Sequence, residues 1–301
     1  MVAGGCPRRV EDGAAYESGR GSMASPHHAL APGAERMTPP PCGLLTLLTD
    51  FGLTDPFVGV MKGVVCAAEP QVRILDITHG IRPGSIVEGA FWLERSYRYF
   101  PAGTVHCAVV DPGVGSARAA VAVAAQGHYF VGPDNGLLAE VTLHAPHVEV
   151  RQLDVEALGL RQVSHTFHGR DLFCVVAGRL AASKVGFEAL GPLAHLAVPS
   201  PIPGVVSEAD HFVGNVLTVD HFGNLITSLR AAEVLPASGT PFRLEIGGEW
   251  LRSVRTFADA EPGELVALIG SFDAVEIAVR DGSAFSRLRP TPGASVKLFP
   301  S

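Results

Sequence analysis

The chain has 301 residues, 47% of them hydrophobic and 18% charged, with a formal net charge of −7, enough length for one large domain or two ordinary ones with a real core. The acidic balance, with no basic cluster beyond Arg8 and Arg9, is a poor electrostatic match for nucleic acid and favours a small molecule or a protein as partner. No apolar run reaches the ~18–20 residues of a membrane span, and no apolar signal-peptide stretch is seen near the N-terminus.

Residues 1–42 are rich in Gly, Pro, Ala and Ser without periodicity and are expected to be a disordered extension. Leu44–Leu48 reads as a buried strand ending at Thr49-Asp50-Phe51-Gly52. Pro56 opens a helix with Thr54 or Asp55 as cap, and Val58, Met61, Val65 and Ala68 mark its apolar face. Val72–Ile77 is the next strand. Ser85 and Glu88 form a capping box before a second helix through Ala90-Phe91-Trp92-Leu93. Thr104–Val110 is a third strand running into Asp111-Pro112-Gly113-Val114-Gly115, and strands follow at Ala119–Ala124 and His128–Val131. His168-Gly169-Arg170-Asp171 precedes a helix from Leu172 to Ala181.

This alternation predicts an α/β N-terminal domain over residues 43–191, a sheet flanked by helices. Residues 192–211 are proline-rich and read as a linker. From residue 212 to 301 short β-rich runs separated by turns predict a smaller all-β C-terminal domain, a compact barrel or sandwich. The five cysteines show no CxxC or Cys/His metal spacing. Cys66, Cys107 and Cys174 lie in apolar runs and are expected to be buried free thiols, in keeping with a cytoplasmic location.

Ligand groups in α/β sheets gather at the carboxyl ends of strands, where Asp50, Asp76 and Asp111 all stand. Each polar cluster has a plain structural explanation. Asp before Gly is commonly turn chemistry, which suits Asp134-Asn135-Gly136. His168 alone reads as a hydrogen-bonded structural histidine, Arg118 as an edge charge, Asp220 as a turn or cap, and Asp76 with His79 as a pair fixing a loop. Their joint occurrence points to an α/β enzyme with a carboxylate-rich site, and the residues themselves name no substrate.

Thr49-Asp50-Phe51-Gly52, Asp111-Pro112-Gly113-Val114-Gly115, Pro133-Asp134-Asn135-Gly136, Phe167-His168-Gly169-Arg170-Asp171 and Asp220-His221-Phe222-Gly223-Asn224 occur in this order. Together they resemble the S-adenosylmethionine hydroxide adenosyltransferase family of adenosine-forming S-adenosylmethionine hydrolases, relatives of the fluorinating and chlorinating enzymes. The similarity runs over about residues 44–299. It implies hydrolysis of S-adenosyl-L-methionine to adenosine and L-methionine, by attack of water or hydroxide on the ribose 5′ carbon. It also implies a homotrimer with sites between the N-terminal domain of one subunit and the C-terminal domain of the next, and an Asp-Arg-His triad that falls on Asp111, Arg118 and His168. Either Asp111 or His168 can accept the proton. By position, Asp50 resembles the ribose-diol ligand, Asp55, Asp220 and Ser271 fall on methionine contacts, and Asn224 falls where the adenine edge is read. No cofactor and no metal are expected.

Two departures from the family pattern stand out. Asp273-Ala274 replace a usual Gly-Tyr, and Ala119 replaces an Arg that often follows the triad Arg. The resemblance leaves a halogenating relative and a non-catalytic nucleoside or S-adenosylmethionine sensor as alternatives. The fluorinating enzyme carries Tyr and Ser where this chain has Asp111 and Gly169. A metal-dependent phosphohydrolase using Asp50, Asp76, His79 and Asp111 is a further alternative.

Overall fold

The structure is a computed structural model that describes residues 38–160, 164–237 and 239–301. The expected disorder of residues 1–37 lies outside the described residues. The last residues of the expected extension are held in place: the Pro39 carbonyl accepts from the Tyr129 hydroxyl at 3.0 Å, and Cys42 N–H donates to Gly103 O at 3.0 Å.

Leu44–Thr49 (β1) is apolar at four of six positions and buried at all six, as a parallel strand covered on both faces requires. It is followed by Phe57–Ala68 (α1), Arg73–Thr78 (β2), Ile86–Ser96 (α2), Val105–Val109 (β3), Ala120–Ala125 (β4), His128–Pro133 (β5), Val148–Gln152 (β6), Cys174–Ala181 (α3) and Leu193–Ala194 (β7). These strands form one sheet in the order β2-β1-β3-β5-β4-β6-β7. The first four are parallel, and the remaining pairings are antiparallel. Leu45, Leu47, Cys107 and Val109 pack on one face with Met61 and Val65 of α1 and with Val176, Ala177 and Leu180 of α3. Leu48, Ala108 and Val110 face the other way, toward Ala90 and Leu93 of α2. Alternation along the strands thus sends one apolar set to each helical layer.

The C-terminal region holds Val206–Ser207 (β8), Phe212–Val219 (β9), Leu225–Arg230 (β10), Ala231–Val234 (α4), Phe242–Ile246 (β11), Glu249–Arg252 (β12), Leu265–Ile269 (β13), Ala274–Val279 (β14), Ala284–Leu288 (α5) and Ser295–Pro300 (β15). The antiparallel order is β12-β11-β15-β9-β10-β14-β13, with β8 beside β9. The path nearly closes, because Val254 N–H, just past β12, donates to Ala267 O in β13 at 2.9 Å. Leu225, Leu244, Ile277 and Leu298 fill the interior of this small barrel. The expected α/β layer and compact β barrel are both present. Phe91 of α2 packs against Leu217, Ile226 and Ala274 of the barrel. Arg82 donates to Leu217 O at 3.1 Å, and Arg230 pairs with Glu94 at 2.6 Å.

Several local expectations need correction. Pro56 itself occupies the N-cap of α1, and neither Thr54 nor Asp55 caps it. Ala68 and Cys66 are exposed, because the buried stripe of α1 runs through Val58, Met61 and Val65 only. Ser85 is the N-cap of α2 without a side-chain cap bond. Glu88 turns away to accept from Arg82 Nε at 2.7 Å, so a charged partner outcompetes the capping box. The last helix of the sheet region starts earlier than Leu172, with a π-helical turn over Gly169–Phe173. Strands β6, β10 and β12 had no expected counterpart, nor did the two-residue β7 and β8, which lie within the expected linker. β6 and β12 are only half apolar and owe their form to pairing in the sheet.

Candidate active site

β1 and β3 are neighbours in parallel register, with Thr49 opposite Val109. Asp50 and Asp111, each just past its strand, therefore emerge side by side. β4 runs antiparallel to β5, so the residues entering β4 lie at the same end of the sheet, and Arg118 is among them. The π-helical turn that leads into α3 brings His168 to this end as well; such turns are frequent at functional sites.

Arg118 joins the three groups. Its Nε donates to Asp111 Oδ1 at 2.8 Å and Oδ2 at 3.0 Å, one Nη closes a bidentate pair with Oδ2, and the same Nη lies 2.9 Å from His168 Nδ1. The other Nη donates to Ala119 O at 3.2 Å, and the guanidinium lies over the Phe173 ring, 5.2 Å from its centroid. Side-chain exposure is 5% for Asp111 and 10% for Arg118. A guanidinium has only N–H donors, so His168 Nδ1 must be an acceptor and the imidazole proton sits on Nε2. Burial, and then the adjacent Arg118 charge, hold the His168 pKa below its ordinary value, against smaller opposite pulls from Asp111 and Asp171. Both arguments make this imidazole neutral near pH 7.

The loops around the triad are stapled. Thr49 Oγ1 pairs with His79 Nδ1 at 2.8 Å and accepts from Phe51 N–H at 3.2 Å, while Gly52 N–H donates to His79 O at 2.8 Å. Gly52 takes φ +67° there, a turn that a side chain disfavours. Asp50 Oδ2 accepts from Gly84 N–H at 2.7 Å, and its other oxygen has no protein partner among the described residues. Asn135 donates to Val110 O at 2.9 Å, fixing the peptide before Asp111, and its own Oδ1 accepts from Leu137 N–H at 3.2 Å. Asp134 accepts from Ala197 N–H at 2.9 Å. The Asp134-Asn135-Gly136 segment is thus structural, as expected. Asp76 binds Lys62 at 2.6 Å and lies 3.0 Å from His79 Nε2. Among the described residues no group of three or more His, Cys, Asp or Glu side chains is placed to hold a metal ion.

The other substrate-contact candidates fall elsewhere. Asp220 and Asn224 form one turn between β9 and β10, in which Asp220 Oδ1 accepts from the N–H of Phe222 (2.9 Å) and of Asn224 (2.8 Å) and Oδ2 accepts from Asn224 Nδ2 (2.8 Å). Ser271 is exposed in the β13–β14 hairpin, where Asp273 has φ +60°. The hairpin demands a left-handed residue at the position where the family usually has Gly, and Asp is among the side chains that tolerate it. Ala274 is fully buried. Asp55 is exposed and makes no side-chain hydrogen bond or ion pair among the described residues. The triad and Asp50 form one group and Asp220, Asn224 and Ser271 another. Among the described residues no hydrogen bond or ion pair joins the two groups. A cleft of about 280 Å³ between α2 and the barrel, lined by Glu94, Arg95 and Arg230, contains none of these residues. Sequence reasoning missed the supporting roles of Phe173 and Gly84, because each depends on which strands are neighbours; His79 fixes a loop with Asp76, as expected, and also holds Thr49.

The chain matches the SAM hydroxide adenosyltransferase N-terminal domain over residues 45–191 and the C-terminal domain over residues 214–297. It is 42% identical to the (R)-S-adenosyl-L-methionine hydrolase of Salinispora tropica, over 86% of this chain and 98% of the relative. A fluorinase from an Actinoplanes species is more distant, at 29% identity over 76% of this chain and 88% of the relative. The crystal structure of an uncharacterized conserved protein from Thermotoga maritima superimposes with a TM-score of 0.77 at 31% identity, over 85% of this chain and 99% of that one. A sheet with helices on both faces carrying a linked Asp-Arg-His cluster, a β barrel, and matches across both regions place this chain in the SAM hydroxide adenosyltransferase family.

Proposed function

We propose that the protein hydrolyses S-adenosyl-L-methionine, in the R form specified by the names of its hydrolase relatives, to adenosine and L-methionine. The observation that carries this reading is the linked triad Asp111–Arg118–His168. The sulfonium is already a good leaving group, so water is the reactant that needs help. Water is held in line behind the 5′ carbon, donates one proton toward Asp111, and receives a hydrogen bond from His168 Nε2–H. Because His168 Nδ1 faces a donor, the imidazole serves as a positioning donor and Asp111 as the proton acceptor. As the new C–O bond forms and the C–S bond breaks, the positive charge of the sulfonium is lost and one proton leaves with the carboxyl. Low exposure strengthens the attraction between the developing hydroxide and the sulfonium.

Asp50 receives the ribose hydroxyls on its unpartnered oxygen. Asn224 reads the adenine edge, and Asp55, Asp220 and Ser271 hold the methionine arm. The two groups of residues complete one site across a subunit boundary in a homotrimer. Phe222 and Leu53, which are 75% and 76% exposed, support this reading as apolar residues that a neighbour would cover. The chemistry calls for no metal and no cofactor. The buried free thiols Cys107 and Cys174 fit a cytoplasmic enzyme, and no helix among the described residues is long and apolar enough to cross a membrane.

Against a halogenating activity stands Asp111 itself, whose negative charge repels halide. Gly169 also matters, because a β-carbon there would lie 3.0 Å from Phe51 Cε2 and 3.3 Å from Met61 Sδ. The test is incubation of separated R and S substrate in oxygen-18 water with chelator and with chloride or fluoride. Label in the adenosine 5′ hydroxyl, from the R form and regardless of chelator, is expected. A 5′-halo nucleoside as main product ends the hydrolase reading. Ligand binding without release that depends on Asp111 makes the protein a sensor. Mixing Asp111→Ala with Asp220→Ala subunits restores part of the activity if the sites are shared.

A further inference from the structure

At the end of α2 one carboxylate is surrounded by three guanidinium groups. Arg98 pairs with Glu94 Oε1, and Arg230 pairs with Glu94 Oε2 at 2.6 Å. Arg95 Nε also lies 3.3 Å from Oε2, but out of line, so it makes no hydrogen bond there. Arg95 is the group left over. Its side chain is only 6% exposed, its Nε is buried without a hydrogen-bond partner, and the rest of its guanidinium donates no hydrogen bond among the described residues. It is nevertheless held firmly. The guanidinium lies over the Phe91 ring, 5.4 Å from its centroid, and Phe91 is itself packed against Leu217, Ile226 and Ala274 of the barrel. A buried donor without an acceptor is costly until something supplies one.

Arg95 lines the cleft of about 280 Å³ between α2 and the barrel. Two carboxylates on the same cleft are weakly engaged. Glu140 accepts from the neutral Ser200 hydroxyl, and Glu233 is half-exposed, 3.7 Å from Arg230 Nε. Leu143, Ile202 and Leu217 add apolar wall. A simple anion would be drawn to Arg95 and repelled by Glu140 and Glu233, and a simple cation would meet the reverse. A molecule with both charges and an apolar remainder suits every group. The volume lies just below the ~300–1,000 Å³ of drug-sized pockets, which fits a smaller molecule.

We propose that this cleft is a second ligand site, for a zwitterionic α-amino acid with an apolar side chain. The ligand carboxylate accepts from Arg95, its ammonium donates to Glu140, and its side chain lies along Leu143 and Ile202. The inference goes beyond the proposed hydrolysis and stands on the cleft alone, which holds none of the triad or substrate-contact residues. L-methionine, which that reaction would release, is the first member of the class to try.

The experiment is calorimetric titration of the full chain with L-methionine, with L-methioninamide (no carboxylate) and N-acetyl-L-methionine (no ammonium) as controls. A ligand of about nine non-hydrogen atoms is expected to bind with Kd ~1 mM or tighter. Each control should bind about tenfold more weakly or worse, because each loses a charge-assisted hydrogen bond. Asp220→Ala, which alters a methionine contact of the proposed active site, should keep the cleft affinity. Arg95→Met, which retains an apolar stem of similar length, should lose about tenfold or more while leaving KM for S-adenosylmethionine unchanged. Glu140→Gln serves as the second variant if thermal melts show Arg95→Met to be poorly folded. Absence of saturable binding up to ~10 mM overturns the proposal. So does binding that survives both cleft variants but disappears in Asp220→Ala, since methionine then occupies the active site only. Equal affinity for the controls removes the zwitterion reading. A changed oligomeric mass for Arg95→Met in sedimentation also overturns the proposal, because the cleft is then a contact between copies of the chain.

Discussion

Exchanging His168 for Gln and Asp111 for Asn separates the two candidate proton acceptors. Arg118 Nη donates toward His168 Nδ1 at 2.9 Å, so the imidazole can offer only its Nε2 proton to water. Gln also presents an N–H donor and should keep the water in place, with kcat reduced by about tenfold or less, or ~1.4 kcal/mol. Asn at 111 cannot take a proton, and the loss should reach the ~10²–10⁴-fold of general base catalysis, equivalent to ~3–5 kcal/mol. Single-turnover measurement of adenosine release, with thermal melts to confirm folding, reads both. The pH dependence gives a second check. Protonating His168 would set Nδ1–H against the Arg118 donor, and its folded pKa lies below the ordinary value through burial and that same charge. On this account kcat should be flat from pH 6.5 upward, with the acid limb below it. If Asp111→Asn keeps more than about a tenth of kcat while His168→Gln is inert, the imidazole is the base and the tautomer argument is wrong.

Other substitutions probe the supports. Gly169→Ser should destabilise by ~1–3 kcal/mol through overpacking against Phe51 and Met61, without producing halogenation, read by urea unfolding and product analysis. Asn135→Ala removes the donor to Val110 O and should cost ~1–3 kcal/mol while lowering kcat more than it raises KM. The protein should also lose stability in acid. His106 and His128 are buried, 3.2 Å apart, with Thr46 Oγ1 2.7 Å from His106 Nδ1. Burial, and for His106 also its histidine neighbour, depress both pKa values, His128 to about 4. Since the unfolded chain takes up these protons near pH 6.5, stability is level above that pH. It falls as pH drops through 6.5 toward 4, by ~1.4 kcal/mol per unit for each histidine. Urea midpoints at pH 7.5 and 5 measure this, and a His128→Gln variant should show a shallower decline; an identical slope would show that other groups titrate.

Much of the architecture was readable along the chain because apolar β1, β3 and β5 are buried on both faces, and α1 and α2 carry their own periodicity. Cap details failed where a stronger partner was available: Glu88 binds Arg82 instead of completing a capping box. Strands β6 and β12 went unread because half-exposed strands take their conformation from neighbours that a local window does not contain.

For the site, the residues themselves gave only a carboxylate-rich cluster at strand ends, and the resemblance of five ordered motifs to a known family is what set Asp111, Arg118 and His168 together as a triad. The sequence could not choose the proton acceptor. The proposal that Asp111 takes the proton rests on which imidazole nitrogen faces the guanidinium, a relation between residues 50 positions apart. Only the folded chain brings charges so distant in sequence close enough, and dry enough, to alter each other's protonation.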